Sequence, residues 1–209
     1  MPHDGHDHHE GGHDHRPDQD GGLTDWQAME IAIRELMIEK GVATAEGVAA
    51  QVEAMDARTP AQGARVVARA WVDAGYRDRL LADGSAACRE VGIEVGPLRL
   101  IAVANTDRLH NVVVCTLCSC YPRNLLGLPP DWYKSRAYRS RTVREPRAVL
   151  REFGTEIPEG VEVRVHDSTA DMRYLVVPRR PEGTEGWDEA RLAGIVTRDA
   201  MIGVRDVRV

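Results

Sequence analysis

Three of the four cysteines of this chain fall within six residues, in the stretch Val113-Val114-Cys115-Thr116-Leu117-Cys118-Ser119-Cys120-Tyr121-Pro122. Spacing this tight forces three sulfurs toward one point. A structural zinc site would need four closed ligands, but no second pair exists and the remaining thiol, Cys88, stands alone. Adjacent disulfides cannot form in so short a loop without strain, and the chain is too long to need them as staples. The spacing suits a different site. Cys118-Ser119-Cys120 can present a sulfur, two backbone amide nitrogens and a second sulfur in one plane, closing six-, five- and five-membered chelate rings around a single ion. Cys115 can then fold beneath that plane as an axial thiolate, leaving the opposite face open. Deprotonated amides and thiolates are strong donors, and such a set favours a trivalent low-spin ion acting as a Lewis acid.

The remainder of the chain has enough apolar residues for one sizeable core, or a core plus an arm: 43% of 209 residues are hydrophobic. The net charge of −6 argues against nucleic acid as a partner. No signal peptide and no apolar run of membrane-spanning length appears, so the expected location is the cytoplasm, with no membrane partner. Residues 1–22 hold six of the eight histidines among Asp, Glu and Gly, with almost nothing to bury. A disordered tail is expected there. Imidazole beside carboxylate can also hold cobalt or nickel loosely, so metal gathering and an inert tail stand as equal readings.

Order is expected from Thr24, where Thr24-Asp25-Trp26-Gln27 reads as a capping box. Trp26, Met29, Ile33, Leu36 and Met37 recur at helical spacing until Gly41. A second helix carries Val48, Val52 and Met55 from Thr44 to before Pro60. The organisation expected is therefore a tail at 1–22, a helical arm at 23–60 and a metal-binding catalytic domain at 61–209. The fold class expected is α+β, with a layered α/β domain carrying the claw loop. Within it, Ala61–Trp71 and Asp73–Val91 read as helices, Leu98–Ala104 and Asn111–Val114 as strands. Asp131 is positioned to cap one further helix and Pro146 to open another. Val161, Val163 and Val165 alternate with polar residues as a half-buried strand, and Arg173–Val177 is expected to pair with it. Asp188–Arg198 reads as a final helix.

Secondary signals have plainer explanations. The arginine-rich run from Lys134 to Arg151 reads as solvated or interface helices whose cations pair with carboxylates. His110 and His166 read as strand-end or surface histidines, Cys88 as a small core residue, and Trp132-Tyr133 as a packed aromatic pair.

The stretch Val-Cys-Thr-Leu-Cys-Ser-Cys-Tyr-Pro resembles the metal claw of the nitrile hydratase alpha-subunit family, which includes the gamma subunit of thiocyanate hydrolase. The resemblance extends over roughly residues 23–204, through Gly127-Leu-Pro-Pro-Asp-Trp-Tyr-Lys134, Val143-Arg-Glu-Pro-Arg147, Arg173-Tyr174 and Arg180-Pro-Glu-Gly-Thr-Glu-Gly-Trp187. It implies Cys115, Cys118 and Cys120 as sulfur ligands, with Ser119 and Cys120 also ligating through their amides, Cys118 oxidised to sulfinate and Cys120 to sulfenate. Thr116 after the first cysteine implies cobalt(III), one ion per chain, rather than iron. The activity implied is hydration of a nitrile to its amide. Catalysis falls to Cys118, Ser119 and Cys120, in a pocket completed by a beta-type partner subunit, and a metal-insertion activator is a further implied partner. The alternative is thiocyanate hydrolysis to carbonyl sulfide and ammonia. Family members of the cobalt nitrile hydratase type read Tyr-Pro-Trp-Pro-Val-Leu-Gly after the claw, where this chain has Arg123 and Asn124. Arg123 is thus a candidate substrate-binding residue for an anion or a polar nitrile. A reading from another class is a non-catalytic metal or redox sensor that cycles its three thiols.

Overall fold

A computed structural model describes residues 24–118 and 120–209. The expected tail at 1–22 lies outside the described residues. The chain divides into two compact units, Met1–Ala50 and Gln51–Val209.

The described part of the first unit opens with α1 (Asp25–Glu39). The Thr24 hydroxyl accepts the Gln27 amide at 3.3 Å, and the Gln27 side chain accepts the Thr24 amide at 2.9 Å. This reciprocal box satisfies two amides that the first turn would otherwise leave open. Gly41, at φ +68°, ends the helix in the left-handed region. The Thr44 hydroxyl then accepts the Gly47 amide at the start of α2 (Ala45–Asp56). Neither helix has a buried residue. Trp26, Met29, Ile33 and Met37 line an apolar groove of about 440 Å³, which Ala43 and Val48 complete.

The second unit begins its core with α3 (Ala61–Val72), α4 (Ala74–Ala82) and α5 (Gly84–Glu90). The Asp73 and Asp83 side chains cap α4 and α5 by accepting the Tyr76 and Ala86 amides, each at 2.9 Å. Next come β1 (Arg99–Ala104) and β2 (Leu109–Val114), then the claw, then α6 (Arg123–Leu126), α7 (Asp131–Lys134), α8 (Arg136–Arg144) and α9 (Pro146–Glu152). β3 (Glu162–Asp167), β4 (Met172–Val177), α10 (Glu189–Ala193) and α11 (Arg198–Ile202) finish the chain. The fold class is α+β, as expected.

The strand pairing differs from the expected hairpin. β3 does not pair with β4; it runs parallel to β2, with Leu109 opposite Glu162, while β4 runs parallel to β1, with Arg99 opposite Met172. Burial gives the reason. Leu175, Val176 and Val177 are consecutive buried residues, as are Val112, Val113 and Val114. Continuous apolar runs suit parallel strands covered on both faces, whereas β3 alternates and takes an edge beside β2. The short link after β3 carries the chain from one pair to the other, as the Ser168 amide donates to Val114 O and the Arg99 amide to Asp171 O.

Two helix expectations also change. Gly194 interrupts the final helix, and Thr197 caps a separate one by accepting the Ala200 amide at 3.2 Å. Asp131 lies inside the first turn of α7 rather than at its cap, a position taken by Pro130, which has no side-chain acceptor to offer. Gly203, at φ +88°, lies so close to β2 that a Cβ there would collide with the Asn111 carbonyl.

Candidate metal centre

β2 delivers the claw from a rigid support. Val113 O accepts the buried Tyr138 hydroxyl at 2.7 Å, and Val114 O accepts the Ser168 amide at 2.7 Å. Cys115 follows directly and is 1% exposed. The Cys118 amide donates to Cys115 Sγ at 3.2 Å, which curls the loop back on itself. Cys115 Sγ lies 3.5 Å from Cys118 Sγ, and Cys118 Sγ lies 3.2 Å from Cys120 Sγ. All three sulfurs are within 4.8 Å of one another. Sulfurs about 2.3 Å from a shared ion stand about 3.3 Å apart at right angles and about 3.8 Å apart in a tetrahedron. Spacings of 3.5 and 3.2 Å lie in the range that sulfurs sharing one ion require, and three thiols are a soft donor set. The residues present therefore fit the ion that the claw motif implies. Ser119 lies outside the described residues.

Both ends of the loop are anchored by residues distant in sequence. Asp167, at the end of β3, accepts the Thr116 amide at 2.9 Å and the Thr116 hydroxyl at 2.5 Å. The Tyr133 hydroxyl donates to Cys120 O at 2.9 Å. Beneath the loop, Tyr121, Trp132, Tyr133, Tyr138 and Phe153 interlock with ring centroids 4.7–6.2 Å apart, mostly edge to face. Trp132 and Tyr133 are thus the packed pair expected from the sequence. The loop tip faces outward instead, with Leu117 87% exposed.

Exposure separates the thiols: Cys118 is exposed, Cys120 partly covered, and Cys115 and Cys88 are buried. Burial, followed by hydrogen bonding to Cys118 and Cys115, pushes the Cys120 thiol up to about 12, against which the nearby Arg173 guanidinium acts. Metal binding must displace such protons. Cys88 is fully buried in α5, and burial pushes its thiol up to about 12 as well. Alkylation of the metal-free protein at neutral pH is therefore expected to label Cys118 and leave Cys88 unmodified until denaturant is added. Peptide mass mapping reads this out, and early labelling of Cys88 would contradict it.

Neither histidine joins the sulfur cluster, and both lie near strand ends as expected, although not on the open surface. His110 is buried, with Nε2 at 2.7 Å from Gly203 O and Nδ1 at 3.4 Å from Asn105. His166 is half-buried, 2.8 Å from Asn111 Oδ1, and burial lowers its pKa. In the arginine-rich segment, Arg141 bonds both Glu145 and Glu152 at 2.6 Å, the carboxylate pairing expected there, whereas Arg144 and Arg147 donate to backbone carbonyls instead.

Beside the sulfurs lies a cavity of about 400 Å³ that Cys118, Cys120 and Arg123 line together. Arg123, named from sequence, opens α6 at its wall. Arg58 and Arg173 also line it, and neither was assigned a role from the sequence. Arg173 sat in a family-like dipeptide that could have flagged it. Arg58 carried no signal at all.

The sequence profile of the family described as nitrile hydratase, alpha chain, matches residues 24–205. The chain belongs to this family. It is 49% identical over 182 residues to the cobalt-containing nitrile hydratase subunit alpha of Pseudonocardia thermophila, a match covering 85% of this chain and 88% of that one. It is 45% identical over 194 residues to the thiocyanate hydrolase subunit gamma of Thiobacillus thioparus, covering 87% and 80%. Its fold is similar to that in a solved structure of recombinant thiocyanate hydrolase with partially modified cobalt centres: TM-score 0.85, 44% identity, 90% of this chain and 92% of that one covered.

Proposed function

We propose that this chain is the metal-bearing alpha-type subunit of a cobalt nitrile hydratase, active with a beta-type partner. The observation that carries the reading is the trio of sulfurs within 4.8 Å of one another on the wall of a cavity. Cys115, Cys118 and Cys120 would hold the ion through sulfur, and Ser119 and Cys120 through their amides. Cobalt, when bound, supplies Lewis-acid polarisation of the nitrile. The remaining steps belong to the protein. Asp167 and Tyr133 hold the two ends of the loop so that the donors stay convergent. Cys118 would be oxidised to sulfinate and Cys120 to sulfenate, on successive rungs of the thiol ladder, with dioxygen or peroxide as oxidant and source of the added oxygens. Either a water that the Cys120 sulfenate oxygen orients adds to the nitrile carbon and its protons pass to the nitrogen, or the sulfenate oxygen itself bonds that carbon, after which the S–O bond breaks and one water restores the sulfenate oxygen while its two protons complete the amide. Arg123 orients the substrate from the cavity wall. Residues 23–60 act as an arm that clasps the partner, and 61–209 as the catalytic domain.

A second reading, thiocyanate hydrolysis, is favoured by one observation: a cationic Arg123 at the cavity suits an anion. We place the protein in the cytoplasm, where thiols stay reduced before metal insertion. No described helix is long and apolar enough to cross a membrane.

The test is co-expression with the partner subunit in cobalt medium, followed by metal analysis, peptide mapping and assay. About one cobalt per chain is expected, with one added oxygen on Cys120 and two on Cys118. Zinc or no metal would support the thiol-sensor reading instead. Turnover of an aliphatic nitrile identifies the hydratase, and Arg123→Trp is expected to shift preference toward that nitrile and away from thiocyanate. Relative rates unchanged by the substitution would mean that Arg123 does not read the substrate.

A further inference from the structure

Among the described residues that line the cavity, every charged side chain is cationic: Arg58, Arg123 and Arg173. They divide into two kinds. Arg173 is held by the loop before β4, donating to the carbonyls of Thr169, Ala170 and Met172, and its charge acts on Cys120. Arg58 and Arg123 have no carboxylate partner among the described residues. Elsewhere in the chain Arg79 and Arg141 are paired within 3 Å of a glutamate. Two guanidiniums that line one recess without a carboxylate leave planar, forked donors unused.

The seat of Arg58 is fixed independently of its side chain. Gly127, at φ +71°, lies so close to the Arg58 carbonyl that a Cβ there would collide with it. The linker before α3 is thereby held against the segment that leaves the claw. The rest of the wall includes Val95, Leu98 and Leu100, an apolar surface with no use for a small inorganic anion. Its volume of about 400 Å³ falls within the usual range of organic-ligand pockets, about 300–1,000 Å³. A triatomic anion would leave most of it unfilled.

We infer that this cavity takes a nitrile that also carries a carboxylate, with Arg58 and Arg123 receiving the carboxylate, the apolar wall covering the methylene chain and Cys118 and Cys120 facing the nitrile. Arg58 is then a specificity-determining residue. The inference rests on the hydratase reading and narrows it to anionic organic nitriles.

The assembled, cobalt-loaded complex is assayed on 4-cyanobutanoate, on pentanenitrile as its neutral counterpart, and on thiocyanate. The expected result is a kcat/KM at least about tenfold higher for 4-cyanobutanoate than for pentanenitrile, with pentanoate a competitive inhibitor. Arg58→Gln lowers that ratio about tenfold, chiefly through KM for the anion, and Arg58→Lys recovers part of it. Arg65→Gln, on the exposed face of α3, leaves the ratio where it was. A ratio below one, or a ratio that Arg58→Gln does not move, overturns the inference. Hydration of pentanenitrile without 4-cyanobutanoate refutes the carboxylate site while leaving the hydratase standing. Failure on both nitriles removes the hydratase reading and the inference with it. A preference for thiocyanate over 4-cyanobutanoate also overturns it, because the arginines would then be serving a small inorganic anion.

Discussion

Cys120→Ser is expected to abolish turnover by the assembled enzyme, lowering kcat by about a thousandfold or more, as loss of an essential reacting group does. The substitution is nearly isosteric, and the Tyr133 hydroxyl still has the residue 120 carbonyl to bond, so the loop keeps its seat. What disappears is chemistry. A serine hydroxyl is a harder donor than a thiol and gives up its proton far less readily, so cobalt content should fall alongside activity. It also cannot be oxidised to a sulfenate. Cys88→Ser is the control, because Cys88 is buried away from the claw and should change stability alone. An active, cobalt-loaded Cys120→Ser complex would remove the sulfenate from the mechanism.

Deleting residues 1–40 is expected to prevent co-purification with the partner, whereas deleting residues 1–22 should leave it intact. α1 has no buried residue, and Trp26, Met29, Ile33 and Leu36 are 50–78% exposed. An apolar stripe of this size seldom faces water unless it has a partner. Burying a fully exposed side chain of this kind contributes about 1.5–3 kcal/mol, and with half to three-quarters of each left to cover, the four together contribute about 5 kcal/mol before ordering costs. Losing that weakens association by about three to four orders of magnitude. Co-purification of the 1–40 deletion at full strength would show that the arm does not clasp the partner.

Local signals were legible in the sequence. Thr24 and Gln27 announce the first helix because a capping box needs only residues three apart, and the claw announces itself through cysteines five residues apart. Contacts between distant segments were not. The alternation in β3 identifies a half-buried strand without saying which neighbour it takes, and the short link to β4 made a hairpin the natural assumption. Both continuous valine-rich runs pointed the other way, toward parallel strands. Asp167 and Arg58 are single charged residues in unremarkable surroundings. Only the register of β3 beside β2 brings the first to Thr116, and only the close approach at Gly127 brings the second to the cavity.

The pairing of β2 with β3 also constrains when the claw can exist. Val114 and the cysteines after it leave the ribosome well before Glu162–Asp167, the strand beside which β2 lies and the source of the carboxylate that clamps Thr116. Non-local parallel pairing is slow to form, because a long loop must close before any contact rewards it. Through that interval the three thiols emerge with no partner strand and no clamp. Metal delivered to the nascent chain would meet a floppy, miscellaneous set of sulfurs open to the wrong ion, so loading belongs after synthesis, on a nearly complete fold.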